Sequence, residues 1–130
     1  MIVVDASTVV ELVLQTPTGA RVAARLIRDG DTLHVPHLLD LEVASALRRL
    51  EAAAAVTPAE ASQGLATLAA LDLVRYAHDI FVPRIWQLRQ NVTVHDACYL
   101  ALAETLQAPL LTCDARLAAA RGHRAVVERP

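Results

Sequence analysis

The sequence contains no lysine; all twelve of its basic residues are arginine. That absence excludes a Schiff-base lysine and a phosphate-loop lysine, and the chemistries that need them. Aromatic residues make up only 3% of the chain, so the core must be built from Ala, Val, Leu and Ile. The two cysteines, Cys98 and Cys113, form no C-x-x-C pair and read as small buried apolar residues. Nothing in them points to an oxidising compartment. The four glycines form no phosphate-binding loop, and the five histidines show no metal-ligand spacing. No run approaches the roughly 20 apolar residues that cross a bilayer. The opening MIVVDAST lacks the basic start and long apolar stretch of a secretory signal. A cytoplasmic protein without a membrane association is expected.

What is present is a chain of 130 residues, 55% of them hydrophobic, which suits one compact domain over residues 1–130 with its own core. The net charge of −2 argues mildly against a nucleic-acid binder. That tension eases if four of the fourteen acids sit in one metal-neutralised cluster, because arginine then outnumbers the remaining acids.

Short β-like runs alternate with longer helical patterns. Strands are expected at 2–4, 32–35, 73–75, 110–112 and 125–127. Helices are expected at 7–14, 18–28, 36–55, 58–70, 79–90, 93–107 and 115–120. Pro36 suits the first turn of the third helix. Thr57-Pro58-Ala59-Glu60 is a capping box with proline at the first helical position. Apolar strands alternating with helices imply an α/β fold, a parallel sheet covered on both faces. Such sheets bind ligands outside the carboxyl ends of their strands.

Four acids gain interest from that rule. Asp5 directly follows the first strand and Asp114 follows Leu110-Leu111-Thr112, so both fall at the carboxyl edge. Each also suits the duller role of turn or helix cap. Glu42 lies in the long helix, and its neighbours at three and four positions (Leu38, Leu39, Ser45, Ala46) hold no cation. It borders an apolar stripe of Leu39, Val43, Ala46 and Leu50, where an uncompensated charge is costly. Asp96 sits in Thr93-x-x-Asp96, a capping box with Asp in place of Glu or Gln. No acid decides the matter alone, but a parallel sheet can bring all four to one end. Clustered carboxylates repel one another, and a hard divalent cation relieves that repulsion. Mg²⁺, or Mn²⁺ in its place, held by such a set suits phosphodiester hydrolysis.

Other signals are weaker. Ser7 and Thr112, each two residues from an acid, are placed to orient Asp5 and Asp114, or only to bond a local turn. His95 adjoins Asp96 and either supports that acid from behind or, the preferred reading, lies on the surface. Arg21, Arg25 and Arg28 share a helix face that is either solvated or in contact with phosphates.

The stretches IVVDAS, PHLLDLEVASALRR, LRQNVTVHDACYLALAE and LLTCDARL together resemble the PIN-domain ribonucleases, and among them the VapC toxins of prokaryotic toxin–antitoxin pairs. The resemblance implies an α/β/α sandwich around a parallel sheet. It implies Mg²⁺- or Mn²⁺-dependent RNA cleavage leaving a 3′-hydroxyl and a 5′-phosphate. The family's acidic quartet falls on Asp5, Glu42, Asp96 and Asp114, with Asp5 and Asp96 as the firmest metal ligands. The polar residue of its late T-x-D motif falls on Thr112. A small VapB-like antitoxin and a homodimer are implied as partners. One departure is Ser45, where many relatives carry Asn three residues after the second acid.

A two-component receiver domain and a haloacid-dehalogenase-type phosphatase both need a lysine that is absent here. The latter also wants an acid where Ser7 stands. The remaining alternative is a PIN-like module that binds RNA or a partner protein without cutting. Leu41 and Val10 are expected on an apolar surface used for pairing.

Overall fold

The computed structural model describes residues 1–130. Five strands, β1 (Ile2–Val4), β2 (Leu33–Pro36), β3 (Leu73–Tyr76), β4 (Leu110–Leu111) and β5 (Val127–Glu128), form one sheet in the order β3-β2-β1-β4-β5. Every pairing is parallel. The helices are α1 (Ala6–Val13), α2 (Pro17–Asp29), α3 (Leu39–Ala52), α4 (Pro58–Ala70), α5 (Val82–Leu88), α6 (Val94–Leu106) and α7 (Ala115–Ala118), with a 3₁₀ turn at Asp79–Phe81.

The strand order explains the layers. From β1 to β2 to β3 the chain steps outward in one direction, and from β3 to β4 to β5 it steps in the other. Crossovers between parallel strands are right-handed, so the reversal moves the helices to the opposite face. Helices α1 to α4 therefore cover one face, and α5, α6 and α7 the other. The expected α/β/α sandwich is what the chain forms.

The central strands carry the core. Ile2, Val3, Val4, Leu110 and Leu111 are all fully buried, as befits strands covered on both faces. At the edge, Val74 is 43% exposed. Helix α6 is buried continuously from Ala97 to Ala103, mostly by small or aliphatic side chains. A helix apolar on most of its circumference belongs in the interior. Gly19 lets α2 close on α1, because a Cβ there would lie 2.0 Å from the carbonyl oxygen of Glu11.

Several element boundaries differ from expectation by one to three residues, and three of the differences have a plain physical reason. The third helix begins at Leu39, and Pro36 instead ends β2. Proline is tolerated there because the pairing of β2 with β1 ends at Val3 and His34, so Pro36 lies past the last paired residue on that side. The next amide, His37 N–H, donates to the Tyr76 carbonyl at 2.8 Å and completes the pairing with β3. Residues 79–90 divide into the 3₁₀ turn and α5, with Pro83 in the first turn of α5, where a missing N–H costs nothing. The last strand is Val127–Glu128, displaced two residues from the expected start and held by Leu110 N–H to the Val126 carbonyl and Thr112 N–H to the Glu128 carbonyl.

Candidate active site

In a parallel sheet, each helix that leaves a strand starts at the carboxyl edge, and so does a helix that leads into the next strand from the opposite side. Asp5 is the N-cap of α1, Glu42 lies in the first turn of α3, Asp96 in the first turn of α6, and Asp114 is the N-cap of α7. All four acids thus stand at helix amino ends on one rim, where backbone dipoles favour negative charge. Asp5 and Asp114 follow β1 and β4, the neighbouring strands between which the order reverses. That switch point is where open α/β sheets form a ligand crevice.

Asp5 is 5% exposed and held by three donors. The Thr8 amide donates to Oδ1 at 2.9 Å, the Ser7 hydroxyl sits 2.8 Å from both oxygens, and the Thr112 hydroxyl donates to Oδ2 at 2.6 Å. Each hydroxyl also accepts a backbone amide, Ser7 from Cys113 at 3.0 Å and Thr112 from Asp114 at 2.9 Å. With an N–H aimed at its oxygen, each hydroxyl turns its own proton toward Asp5. Burial pushes the Asp5 carboxyl above the usual carboxylate range, while the Thr112, Thr8 and Ser7 bonds pull it back. Asp114 Oδ1 accepts the Arg116 and Leu117 amides at 2.7 and 3.4 Å as a helix cap.

Glu42 has a partner that its sequence neighbourhood did not disclose. The Tyr99 hydroxyl, from α6, donates to Oε2 at 2.6 Å. Burial raises the Glu42 carboxyl, the Tyr99 bond and His95 oppose that, and the carboxylates of Asp96 and Asp5 push it up again. Burial and the facing Glu42 charge raise the Tyr99 phenol, so it stays protonated as the donor. A signal for Tyr99 existed: a tyrosine within an otherwise apolar helix needs something to bond. His95 is 72% exposed with Nδ1 3.8 Å from Glu42 Oε1, in keeping with a surface position.

Asp96 occupies a capping box of which half is made. Its amide donates to the Thr93 hydroxyl at 3.1 Å, but its carboxylate does not return to the Thr93 amide. The carboxylate is free of its own helix.

None of these acids is paired with arginine, although arginine pairs acids elsewhere, as in Arg75–Asp40 and Arg84–Glu104. Arg25 and Arg28 bind Glu128 and Asp29, so their helix face is largely neutralised. A groove of about 1060 Å³ opens from the rim between α1 and α3, lined among others by Ser7, Glu42, His95, Asp114, Leu41 and Arg49. Leu41 is 74% exposed, and Val10, half-buried, lines the same groove. Cys98 is buried as expected, its thiol pushed up to about 12 by burial; Cys113 departs from expectation, being half-buried and open to the groove.

As they stand, no three His, Cys, Asp or Glu side chains are close enough to enclose a metal ion. The donor chemistry nevertheless fits a hard divalent cation. The four acids and the Ser7 and Thr112 hydroxyls beside them are oxygen donors, no arginine pairs with the acids, and burial raises the Asp5 and Glu42 carboxyls. Mg²⁺ keeps several waters and needs only one or two direct carboxylates.

The PIN domain family model matches residues 2–122. The chain is 44% identical over 128 residues to Ribonuclease VapC12 of Mycobacterium tuberculosis, covering 98% of each. The chain belongs to the PIN-domain family, in its VapC branch. Two solved PIN-type structures share its fold at low identity. VapC20 of Mycobacterium tuberculosis, described as a sarcin-ricin loop cleaving toxin, superposes with a TM-score of 0.70 at 15% identity, over 97% of this chain and 98% of that one. VapBC2 of Rickettsia felis, bound to a DNA fragment from its promoter, gives 0.71 at 12% identity, over 100% and 99%. In this PIN domain no helix is long and apolar enough to cross a membrane.

Proposed function

We propose that this PIN domain is a metal-dependent endoribonuclease, the toxin of a VapBC-type toxin–antitoxin pair, acting at the rim formed by Asp5, Glu42, Asp96 and Asp114. The observation that carries the reading is that Asp5, Glu42, Asp96 and Asp114, none bound by arginine, all lie at helix amino ends in a chain 44% identical to a ribonuclease. Asp5, Glu42, Asp96 and Asp114 would hold Mg²⁺ or Mn²⁺. Such an ion offsets phosphodiester charge and lowers the pKa of water.

The chain's own residues prepare the site. Ser7 and Thr112 fix both oxygens of Asp5 and tie that acid to the backbone of the β4–α7 turn. Tyr99 holds one oxygen of Glu42 and leaves the other toward the groove side, where His95 lies. Asp96, unspent on its cap, is available to the ion.

Cleavage of a mixed structured RNA pool by the partner-free protein, with Mg²⁺, with Mn²⁺ and with chelator, tests the reading. Metal-dependent cleavage lost in Asp96→Asn supports it; equal cleavage by wild type and variant overturns the site. The open spacing of the carboxylates favours a second reading, a PIN-like module that binds RNA or protein without cutting. Calorimetric titration separates the two, since an absence of metal binding by the folded protein supports the module.

The partners proposed are a VapB-like antitoxin and a second copy of the chain, acting in the cytoplasm. The solved VapBC2 assembly supports the first. The exposed Leu41 supports an apolar contact with either. Light scattering across a dilution series tests pairing, and a monomer throughout would remove it.

A further inference from the structure

A site of four acids faces an electrostatic difficulty with a polyanionic substrate, which a bound metal ion would offset only at the cleaved bond. The flanking phosphates need a cation of their own. Among the residues lining the groove there is one arginine, Arg49. It lies seven residues after Glu42 on α3, two helical turns away on the same face, so the two side chains arise about 10 Å apart along the groove wall. Arg49 is exposed and enters no ion pair, unlike Arg25, Arg28, Arg75, Arg84 and Arg124. Glu11, which also lines the groove, accepts the Thr16 hydroxyl and forms no ion pair with Arg49. A free guanidinium in a groove that ends at the acidic rim matches a phosphate oxygen pair, which it can grip with two parallel N–H donors.

We propose that Arg49 binds a backbone phosphate of the RNA strand flanking the cleaved bond, and so sets which way the strand runs from the rim along α3. This rests on the nuclease reading for its substrate, but its test is separable. Arg48 supplies the control, because it precedes Arg49 on α3 and does not line the groove.

The experiment compares wild type, Arg49→Ala, Arg49→Lys and Arg48→Ala on the structured RNA pool with Mn²⁺ at several salt concentrations. Arg49→Ala is expected to raise the apparent KM about tenfold with kcat little changed. It should also flatten the dependence of log kcat/KM on log salt by about 0.7, the loss of one phosphate contact on a single strand. Arg49→Lys should recover the salt slope and part of the KM, and Arg48→Ala should match wild type. An unchanged KM and slope in Arg49→Ala, or equal effects from Arg48→Ala, overturns the assignment. If wild type does not cleave, the nuclease reading fails. Fluorescence anisotropy with a labelled single-stranded RNA then tests Arg49 alone: weaker, less salt-sensitive binding by Arg49→Ala supports it, and equal binding overturns it.

Discussion

Two helices of this PIN domain open with the same signature and use it differently. At α4, Thr57 and Glu60 close a full box: the Glu60 amide donates to the Thr57 hydroxyl at 3.1 Å, and the Thr57 amide donates to the Glu60 carboxylate at 2.7 Å. At α6, Thr93 and Asp96 make the first bond and omit the second. One methylene separates the two acids. The longer side chain reaches back to its own helix, while the shorter one stays free. The α4 box caps a surface helix; the open box at α6 stands beside Glu42 at the carboxyl edge. The same local chemistry therefore serves stability in one place and leaves a charge unspent in the other.

The comparison can be broken most sharply at Asp96. Asp96→Asn should lower metal-dependent cleavage by at least about a hundredfold, the scale on which metal-site partners act. Its melting temperature should stay close to wild type, because the lost charge is not part of the cap. Glu60→Gln, which keeps the box, should leave cleavage unchanged.

Asp96→Glu sharpens the same point from the other direction. The added methylene should allow the carboxylate to close onto the Thr93 amide, as Glu60 does on Thr57. Stability is expected to rise by about 0.5 kcal/mol in denaturant titration while cleavage falls. A variant that gained activity would show that reach, and not freedom from the cap, limits the site.

Removing the shared half of the boxes compares them directly. Thr57→Ala and Thr93→Ala should each cost about 1 kcal/mol of stability. Only Thr93→Ala should also reduce cleavage, because the first turn of α6 positions Asp96.

The smallest effects separate raised from lowered carboxyls. Glu42 is raised by burial, so in the folded protein its charged form is disfavoured. Its contribution to stability is present below the ordinary carboxylate range and falls as pH rises through that range to the raised value. Glu104 is lowered by the Arg84 guanidinium, so its contribution is present above that range and is lost as pH falls. Near neutral pH without metal, Glu42→Gln should thus raise the melting temperature slightly and Glu104→Gln should lower it. Added Mn²⁺ should stabilise wild type and not Glu42→Gln, since a ligand of the native state raises its stability.

Much of this was legible from residues alone. Asp5 and Asp114 stand out because each follows a short apolar run, and that placement puts them at a strand end in any parallel arrangement. The capping signature at Thr57 leads to the observed start of α4. The same signature at Thr93 locates α6, but not the fate of its carboxylate, which depends on side-chain reach and on what faces it. Pro36 misleads because a proline suits a helix's first turn as well as a strand's last residue, and only its pairing with Tyr76 of β3 decides between them. Tyr99 escapes because its partner lies 57 positions away.

By itself, the sequence determined the alternation of apolar strands and helices, the lysine-free chemistry, and which acids sit at strand ends or helix starts. These follow from local propensity and periodicity, which act over a few residues. Only the tertiary structure decided that β1 and β4 are neighbours at the reversal of the sheet, that Tyr99 serves Glu42, and that Ser7 and Thr112 share Asp5. Those facts depend on strand order and on contacts between distant segments, and packing sets both once the whole core has closed.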